Sequence, residues 1–431
     1  MEQYEKPGIP QISDLKRWIG ERKEELFALL GDLIRIDSQN FGSRGNEEAC
    51  ARYVAELCRG LGLETDLYTP LDLPDFESHP DYLPGRALEN RYNVTARWRG
   101  ADGKDALMLM GHLDTVPVGD PALWTVDPLS GEVRDGKIWG RGACDDKYAL
   151  AAALFVIRIL KDHGFSPRSG VLFTAYCDEE NGGSHGALAS CLRYPCGRIV
   201  NMDCKNFEIW HCASGGQVVS YRFHSTLPAD SSGPAARAIA PVMDEIDRFG
   251  RRRTEELAAN PFYSGTVIPG TALRYMGARA GDDGSSDLGS GEVRFCFYTE
   301  RTKEEIWREL RGMEETLAPV LAQLGITGDG FVPATRFFHY MHSDPCCEAI
   351  RDMQKAASEV SGRKLHVCGS CLSDLSVILK YGSPDAFGFG IGRDFDAYGG
   401  AHQPDEHISC GDLEEYAGIL AAYLVRTVSQ A

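Results

Sequence analysis

The stretch that decides the fold is Ala106-Leu-Met-Leu-Met110, followed at once by Gly111-His112-Leu113-Asp114. An unbroken apolar run of this length reads as a buried strand. Its end carries an imidazole and a carboxylate into the next turn. The arrangement recurs along the chain. Residues 171–176 run into Asp178-Glu179-Glu180, and residues 199–202 run into Asp203. Gly142-Ala-Cys-Asp145-Asp146-Lys147 leads into an apolar helix over 148–162, and Ala401-His402-Gln-Pro404 lies in the loop beyond the strand 386–391. Strands alternating with helices imply an α/β fold with a mainly parallel sheet. In such sheets ligands bind outside the carboxyl ends of the strands, where these five segments would gather.

Outward from that core, apolar residues at helical spacing predict helices over 14–34 and 46–61, the second stopped by Gly62. Residues 67–84, rich in Pro and Asp, read as an irregular loop. A strand is expected over 92–98, and Gly164 ends the helix 148–162. Near Ser214 the pattern changes. A half-exposed strand over 217–223, a helix over 235–249, a strand over 292–299 and a helix over 303–324 form a compact α+β unit of about a hundred residues. After Gly330 the first pattern returns, with helices over 345–362 and 373–381, a strand over 386–391 and a final helix over 413–427. The expected division is therefore 1–213 and 329–431 for one domain, interrupted by a smaller inserted domain at 214–328.

The composition excludes several classes. With 431 residues, two domains are the natural expectation. A formal net charge of −18 argues against nucleic acid and anionic membrane surfaces. No apolar run reaches the roughly 18 residues of a membrane helix, and residues 1–10 carry no signal-peptide core. The 14 cysteines are irregularly spaced and read as reduced thiols of a cytoplasmic protein. Cys368-Gly-Ser-Cys371 has redox or zinc spacing, but no second pair matches it, so the two read as small buried side chains.

The residue types suit metal chemistry. A neutral imidazole such as His112 binds zinc, and a nearby carboxylate, Asp114, can fix its tautomer. Of the adjacent Glu179 and Glu180, one can bind metal while the other serves as the base that a metal-activated water needs. A carboxylate at Asp145 or Asp146 can bridge two ions or cap the helix that follows. Asp203 and His402 complete a set giving each metal three protein ligands and an open position.

Together, Gly111-His-Leu-Asp-Thr-Val-Pro117, Trp139-Gly-Arg-Gly-Ala-Cys-Asp145-Asp-Lys147, Asp178-Glu-Glu180 and Ala401-His402-Gln-Pro404-Asp-Glu406 resemble the aminoacylase, carboxypeptidase and dipeptidase family of co-catalytic zinc peptidases. Acetylornithine deacetylase and succinyl-diaminopimelate desuccinylase belong to the same family. The likeness extends to Asn93-Val94 and Ser373-Asp374. It implies a zinc-peptidase-type catalytic domain and an inserted α+β lid that can also form a homodimer. It implies two divalent ions, zinc by default with cobalt or manganese as alternatives. His112 and Asp203 would bind one, Glu180 and His402 the other, and Asp145 both, with a cis peptide bond between Asp145 and Asp146. Glu179 would be the general acid/base and Asp114 would orient His112. The expected reaction is hydrolysis of an amide or peptide bond in a dipeptide or N-acyl amino acid, by a hydroxide held on the metals. The alternatives are a metal-retaining binding protein and a hydrolase of altered substrate class.

The chain also departs from the family. Tyr148 replaces the usual Gly after the Lys. The lid histidine's position falls at Asp230 or Ser231, with His224 too early in its strand. The lid arginine that grips a substrate carboxylate aligns with Tyr298, with Arg294 and Arg301 nearby. Tyr298, Arg294, Arg301 and Ser373 are the candidate substrate-binding residues.

Overall fold

A computed structural model describes residues 9–226, 234–260, 263, 272–281 and 289–429. By its internal contacts the chain divides into two compact units. The first comprises residues up to His211, His342–Cys368 and the segment from Val377 onward; the second is Cys212–Met341 with Gly369–Ser376.

The first unit opens with helices α1 (Ile12–Arg35) and α2 (Glu48–Gly60). Leu15, Ile19, Leu26, Leu30 and Leu33 line the buried stripe of α1. Strands β1 (Glu64–Tyr68), β2 (Asn93–Trp98) and β3 (Asp105–His112) follow, then the hairpin β4 (Glu132–Arg134) and β5 (Lys137–Trp139). Helix α3 (Lys147–Asp162) is buried along almost its whole length. Strand β6 (Gly170–Tyr176), helix α4 (His185–Arg193), β7 (Ile199–Asn201) and β8 (Glu208–Ala213) complete this stretch. The loop expected from residue 67 begins only after Tyr68, because residues 64–68 pair with β2.

The second unit contains β9 (Gly216–Ser225), α5 (Pro234–Ala258), β10 (Leu273–Ala280), β11 (Ser290–Tyr298), α6 (Lys303–Gln323) and β12 (Ile326–Pro333). Its sheet runs β10-β11-β9-β12, each neighbouring pair antiparallel. Alternate residues Val219, Tyr221 and Phe223 of β9 and Val293, Phe295 and Phe297 of β11 face one core. Ala238, Val242, Ile246 and Phe249 of α5 meet them, with Ile306, Leu310, Met313, Leu317 and Leu321 of α6. The unit reaches past residue 328, where the sequence reading ended the insertion, because β12 pairs with β9.

The chain then adds β13 (Met341–His342), α7 (Glu348–Ser361), β14 (Val367–Gly369), the short α8 (Leu375–Val377), β15 (Phe387–Gly390), β16 (His407–Ser409) and α9 (Cys410–Ser429). The helix expected over 373–381 is only α8, followed by a π turn over Ile378–Gly382.

The large sheet has the order β1-β2-β6-β3-β7-β15-β8-β13, with β14 on β8. Its centre, β6-β3-β7-β15, is parallel. Strands β1 and β2 on one flank pair antiparallel, as does β8 with β15. The centre therefore carries the site and the flanks do not. Residues from α1, α3, α7 and α9 share one apolar core with it. No helix among the described residues is long and apolar enough to cross a membrane.

Candidate metal centre

The parallel register gathers the site. His112 pairs with Tyr176, so the segment after β6 emerges beside it. Met110 pairs with Asn201, so Asp203 lies two residues beyond the same sheet edge. Asp145 arrives from the turn before α3 and His402 from the loop between β15 and β16. All five belong to the first unit. They fall into two groups with donor atoms within 4.8 Å of one another: His112, Asp145 and Asp203, and Asp145, Glu180 and His402.

Asp145 belongs to both. One of its oxygens lies 3.1 Å from His112 Nε2 and the other 3.2 Å from His402 Nε2. Glu180 Oε2 lies 2.7 Å from the same His402 nitrogen, while Glu180 Oε1 accepts the Val116 amide at 3.0 Å. One glutamate oxygen is thus held and the other presented. Burial lowers the His402 pKa, but Glu180 and Asp145 overcome it and push it up to about 11. Burial also opposes charge on His112; the hydrogen bond to Asp145 and the nearby Glu179, Asp145 and Asp146 raise it well above the usual imidazole range. Burial raises Asp145, yet the two histidines hold its carboxyl well below the ordinary value. The groups form a compact charge-paired cluster from which divalent cations would displace the imidazole protons. Two imidazoles and three carboxylates, with Asp145 common to both groups, fit a pair of divalent ions.

The surrounding bonds explain why these side chains stay in place. His112 Nδ1 donates to the main-chain carbonyl of Asp114 at 2.8 Å, leaving Nε2 for the site. The Asp114 carboxylate, expected to orient that ring, stands 3.8 Å from Nδ1. It accepts instead from the amides of Glu179 (2.9 Å) and Glu180 (3.0 Å) and from Asn40 Nδ2 (2.8 Å). Asp114 therefore places the glutamate pair. Asp178, in left-handed backbone at φ 64°, turns the chain just before them. Its buried carboxylate meets Arg86 and Arg91 at 2.6 Å and His185 Nδ1 at 2.5 Å. A Cβ on Gly183 would lie 1.9 Å from that carboxylate, so only glycine fits there.

Three further residues hold the site by bonds that the sequence did not reveal. Glu406 accepts the amides of Gly142 (3.0 Å) and Cys144 (2.9 Å), fixing the turn before Asp145. Asp146 does not cap α3 through its side chain; its Oδ2 accepts the His112 amide at 3.3 Å, and the Asp145–Asp146 peptide bond is cis. The Tyr148 hydroxyl lies 2.6 Å from the Met202 carbonyl and 3.0 Å from that of Cys204, on either side of Asp203, and accepts the Ile391 amide at 3.0 Å. The bulky residue in a glycine position thus buttresses the Asp203 loop. The motif strings hinted at Glu406; Tyr148 stood out only as a departure from the usual Gly, and its role was hidden because its partners lie far along the chain.

The expected substrate-binding residues all lie in the second unit. Arg294 and Tyr298 share one face of β11, opposite the core face of Val293, Phe295 and Phe297. Arg294 is exposed. Tyr298 packs against the cluster of Leu257, Tyr263 and Ala272. Arg301 pairs with Glu256. Ser373 is buried and its hydroxyl lies 3.2 Å from that of Ser370. Asp230 and Ser231 lie outside the described residues. His224, on exposed β9 surface, pairs with Asp329 at 2.7 Å.

The model of peptidase family M20/M25/M40 matches residues 108–426. An uncharacterized metallohydrolase of Methanocaldococcus jannaschii is 22% identical over 92% of this chain and 98% of its own length. A succinyl-diaminopimelate desuccinylase of Cereibacter sphaeroides is 42% identical over 98 residues, which are 22% of this chain and 25% of that enzyme. A di-peptidase structure from Saccharomyces cerevisiae superposes with a TM-score of 0.75 over 97% of this chain and 98% of its own, at 15% identity.

Proposed function

The chain belongs to peptidase family M20/M25/M40 and is a metallohydrolase, and we propose that it cleaves the amide or peptide bond of a dipeptide or N-acyl amino acid at a two-metal centre. The observation that carries this reading is Asp145, whose two oxygens face two separate ligand groups. In the proposal His112 and Asp203 hold one ion, Glu180 and His402 the other, and Asp145 bridges them. A divalent pair there supplies Lewis-acid polarisation of the scissile carbonyl and acidifies the attacking water. Zinc suits the mixed imidazole and carboxylate donors, with cobalt and manganese as alternatives.

The chain's own groups do the rest. Glu179, its amide anchored on Asp114, takes the proton of the attacking water and returns it to the leaving nitrogen. It lies close enough for its charge to act on His112. Glu180, one oxygen pinned by the Val116 amide, keeps the other for the metal. The second unit serves as the lid and as the surface through which a homodimer would form.

A hydrolysis screen of dipeptides and N-acyl amino acids with added Zn²⁺, Co²⁺ or Mn²⁺, run beside Glu179→Ala, tests the reading. Metal-loaded protein that turns over none of them would favour a metal-retaining binding protein. A second reading is favoured by Tyr298, which stands where the family resemblance expects an arginine, and by Arg301, which is engaged by Glu256. It is a hydrolase whose substrate needs no free α-carboxylate.

A further inference from the structure

Away from the Asp145 centre, but within the same unit, three donors of different chemistry converge. His366 immediately precedes β14 and Cys368 lies in it, two residues on, so both project from one face of an extended segment. Glu208, the first residue of β8, lies across from them: the Ile209 amide donates to the His366 carbonyl at 2.8 Å. The imidazole nitrogen, the thiol sulfur and a carboxylate oxygen all lie within 4.8 Å of one another. The Glu208 carboxylate is itself held, because its Oε2 accepts Trp210 Nε1 at 2.9 Å. Lys205, whose charge acts on the thiol, is engaged by Asp394.

We infer that Glu208, His366 and Cys368 form a binding site for one divalent transition-metal ion of the zinc class, additional to the metal pair. The donor set is one nitrogen, one sulfur and one oxygen, which selects a borderline-soft ion over magnesium or calcium. In a tetrahedral zinc site such donors stand roughly 3.3–3.6 Å apart. Donors that lie within 4.8 Å of one another reach that spacing by closing at most about 1.5 Å, and His366 is exposed, so its side chain can supply the movement. Binding forms a sulfur–metal bond and sends the thiol proton to solvent. Three protein ligands leave a fourth position for water, so the ion is exchangeable and not a sealed structural one. Cys368 and Cys371 are both half-buried, which corrects the sequence expectation of two buried thiols.

Cobalt provides the test, because none of the five ligands proposed for the pair is a thiolate. Metal-stripped full-length protein titrated with Co²⁺ should develop a near-ultraviolet thiolate-to-cobalt charge-transfer band. It should also bind one equivalent more than Cys368→Ser, which should show no band. His366→Ala should weaken the band's appearance at least tenfold in Co²⁺ concentration. Both variants should keep the wild-type circular dichroism and wild-type hydrolysis. The difference of one equivalent is read against Cys368→Ser, so it stands whether or not the pair loads as proposed. Wild-type protein with no thiolate band, equal cobalt content in wild type and Cys368→Ser, or a band that survives in Cys368→Ser would each overturn the assignment.

Discussion

The two units treat their polar side chains differently. In the first, the segments that carry the candidate ligands are held by buried bonds: Asp114 accepts the Glu179 and Glu180 amides and Asn40, Glu406 accepts two amides of the turn before Asp145, and Asp178 sits between Arg86, Arg91 and His185. In the second, the expected substrate residues are either spent on neighbours, as Arg301 is on Glu256, or open to solvent, as Arg294 is. Chemistry that needs several groups fixed to a fraction of an ångström requires a supporting shell. Residues that only meet a substrate need no such shell and leave a fainter trace.

The sharpest break of that contrast comes from Glu179. General acid–base catalysis contributes about 10²–10⁴-fold, so Glu179→Ala should lower kcat by at least that range. Metal content, measured by elemental analysis, should stay at the wild-type value. If metal falls with activity, the roles of Glu179 and Glu180 have been exchanged.

Acidification should come next in size. His402 is pushed up to about 11 and His112 is raised well above its usual range. Relative to an unfolded imidazole near 6.5, the protonated rings stabilise the metal-free fold fully below that pH, and His402's share is lost as pH rises through about 11. Metal needs both rings neutral. Loading the pair near neutral pH should therefore release about two protons, and affinity should fall up to about tenfold per displaced proton for each unit of acidification. Proton release in weakly buffered solution measures this directly. Loading without proton release would mean that the two histidines are not the ligands.

How much of this was legible from sequence follows the same division. The parallel centre was readable because residues 106–110 and 171–176 are continuous apolar runs. The β4–β5 hairpin was not, since each strand has three residues; its signal was Asp135-Gly136, both at positive φ (53° and 71°), the chemistry of a tight hairpin turn. Strand β10 escaped because most of its residues are exposed and show no apolar alternation. Helix α5 continues beyond residue 249 through the charged stretch Arg251-Arg-Arg253, where nothing apolar marks continuation. The candidate ligands were visible because each lies at a strand end, in the loop beyond one, or just before a helix start. Their supports, Asn40 and Tyr148 among them, act across long sequence separations that no local pattern encodes.

Tyr148 gives a test of that hidden layer. Tyr148→Phe removes the hydroxyl facing the Met202 and Cys204 carbonyls and leaves the Ile391 amide without its acceptor. An unsatisfied buried group costs about 1–3 kcal/mol, so the melting temperature should fall. Because Asp203 lies between the two carbonyls, metal affinity should also drop, by about 10–100-fold as for other outer supports of metal ligands. A loss of stability with unchanged metal affinity would confine the hydroxyl to packing.

The smallest expected effect concerns the second unit. A bidentate arginine grip on a substrate carboxylate is charge-assisted and roughly twice as strong as a neutral hydrogen bond. Tyr298 offers one hydroxyl on a ring packed among Leu257, Tyr263 and Ala272. Amidating the C-terminus of a good substrate should therefore lower kcat/KM by less than about tenfold, or about 1.4 kcal/mol. The competing outcome is specific. Arg294 lies on the same face of β11 as Tyr298 and is exposed, so it can supply the cation from a shifted position. In that case amidation would cost a hundredfold or more, and Arg294→Ala would abolish the distinction between acid and amide. Arg301, paired with Glu256, should give no such effect when replaced by alanine. Running the acid and amide substrates through wild type and both variants separates a lost grip from a relocated one, because only relocation makes one arginine variant blind to the carboxylate.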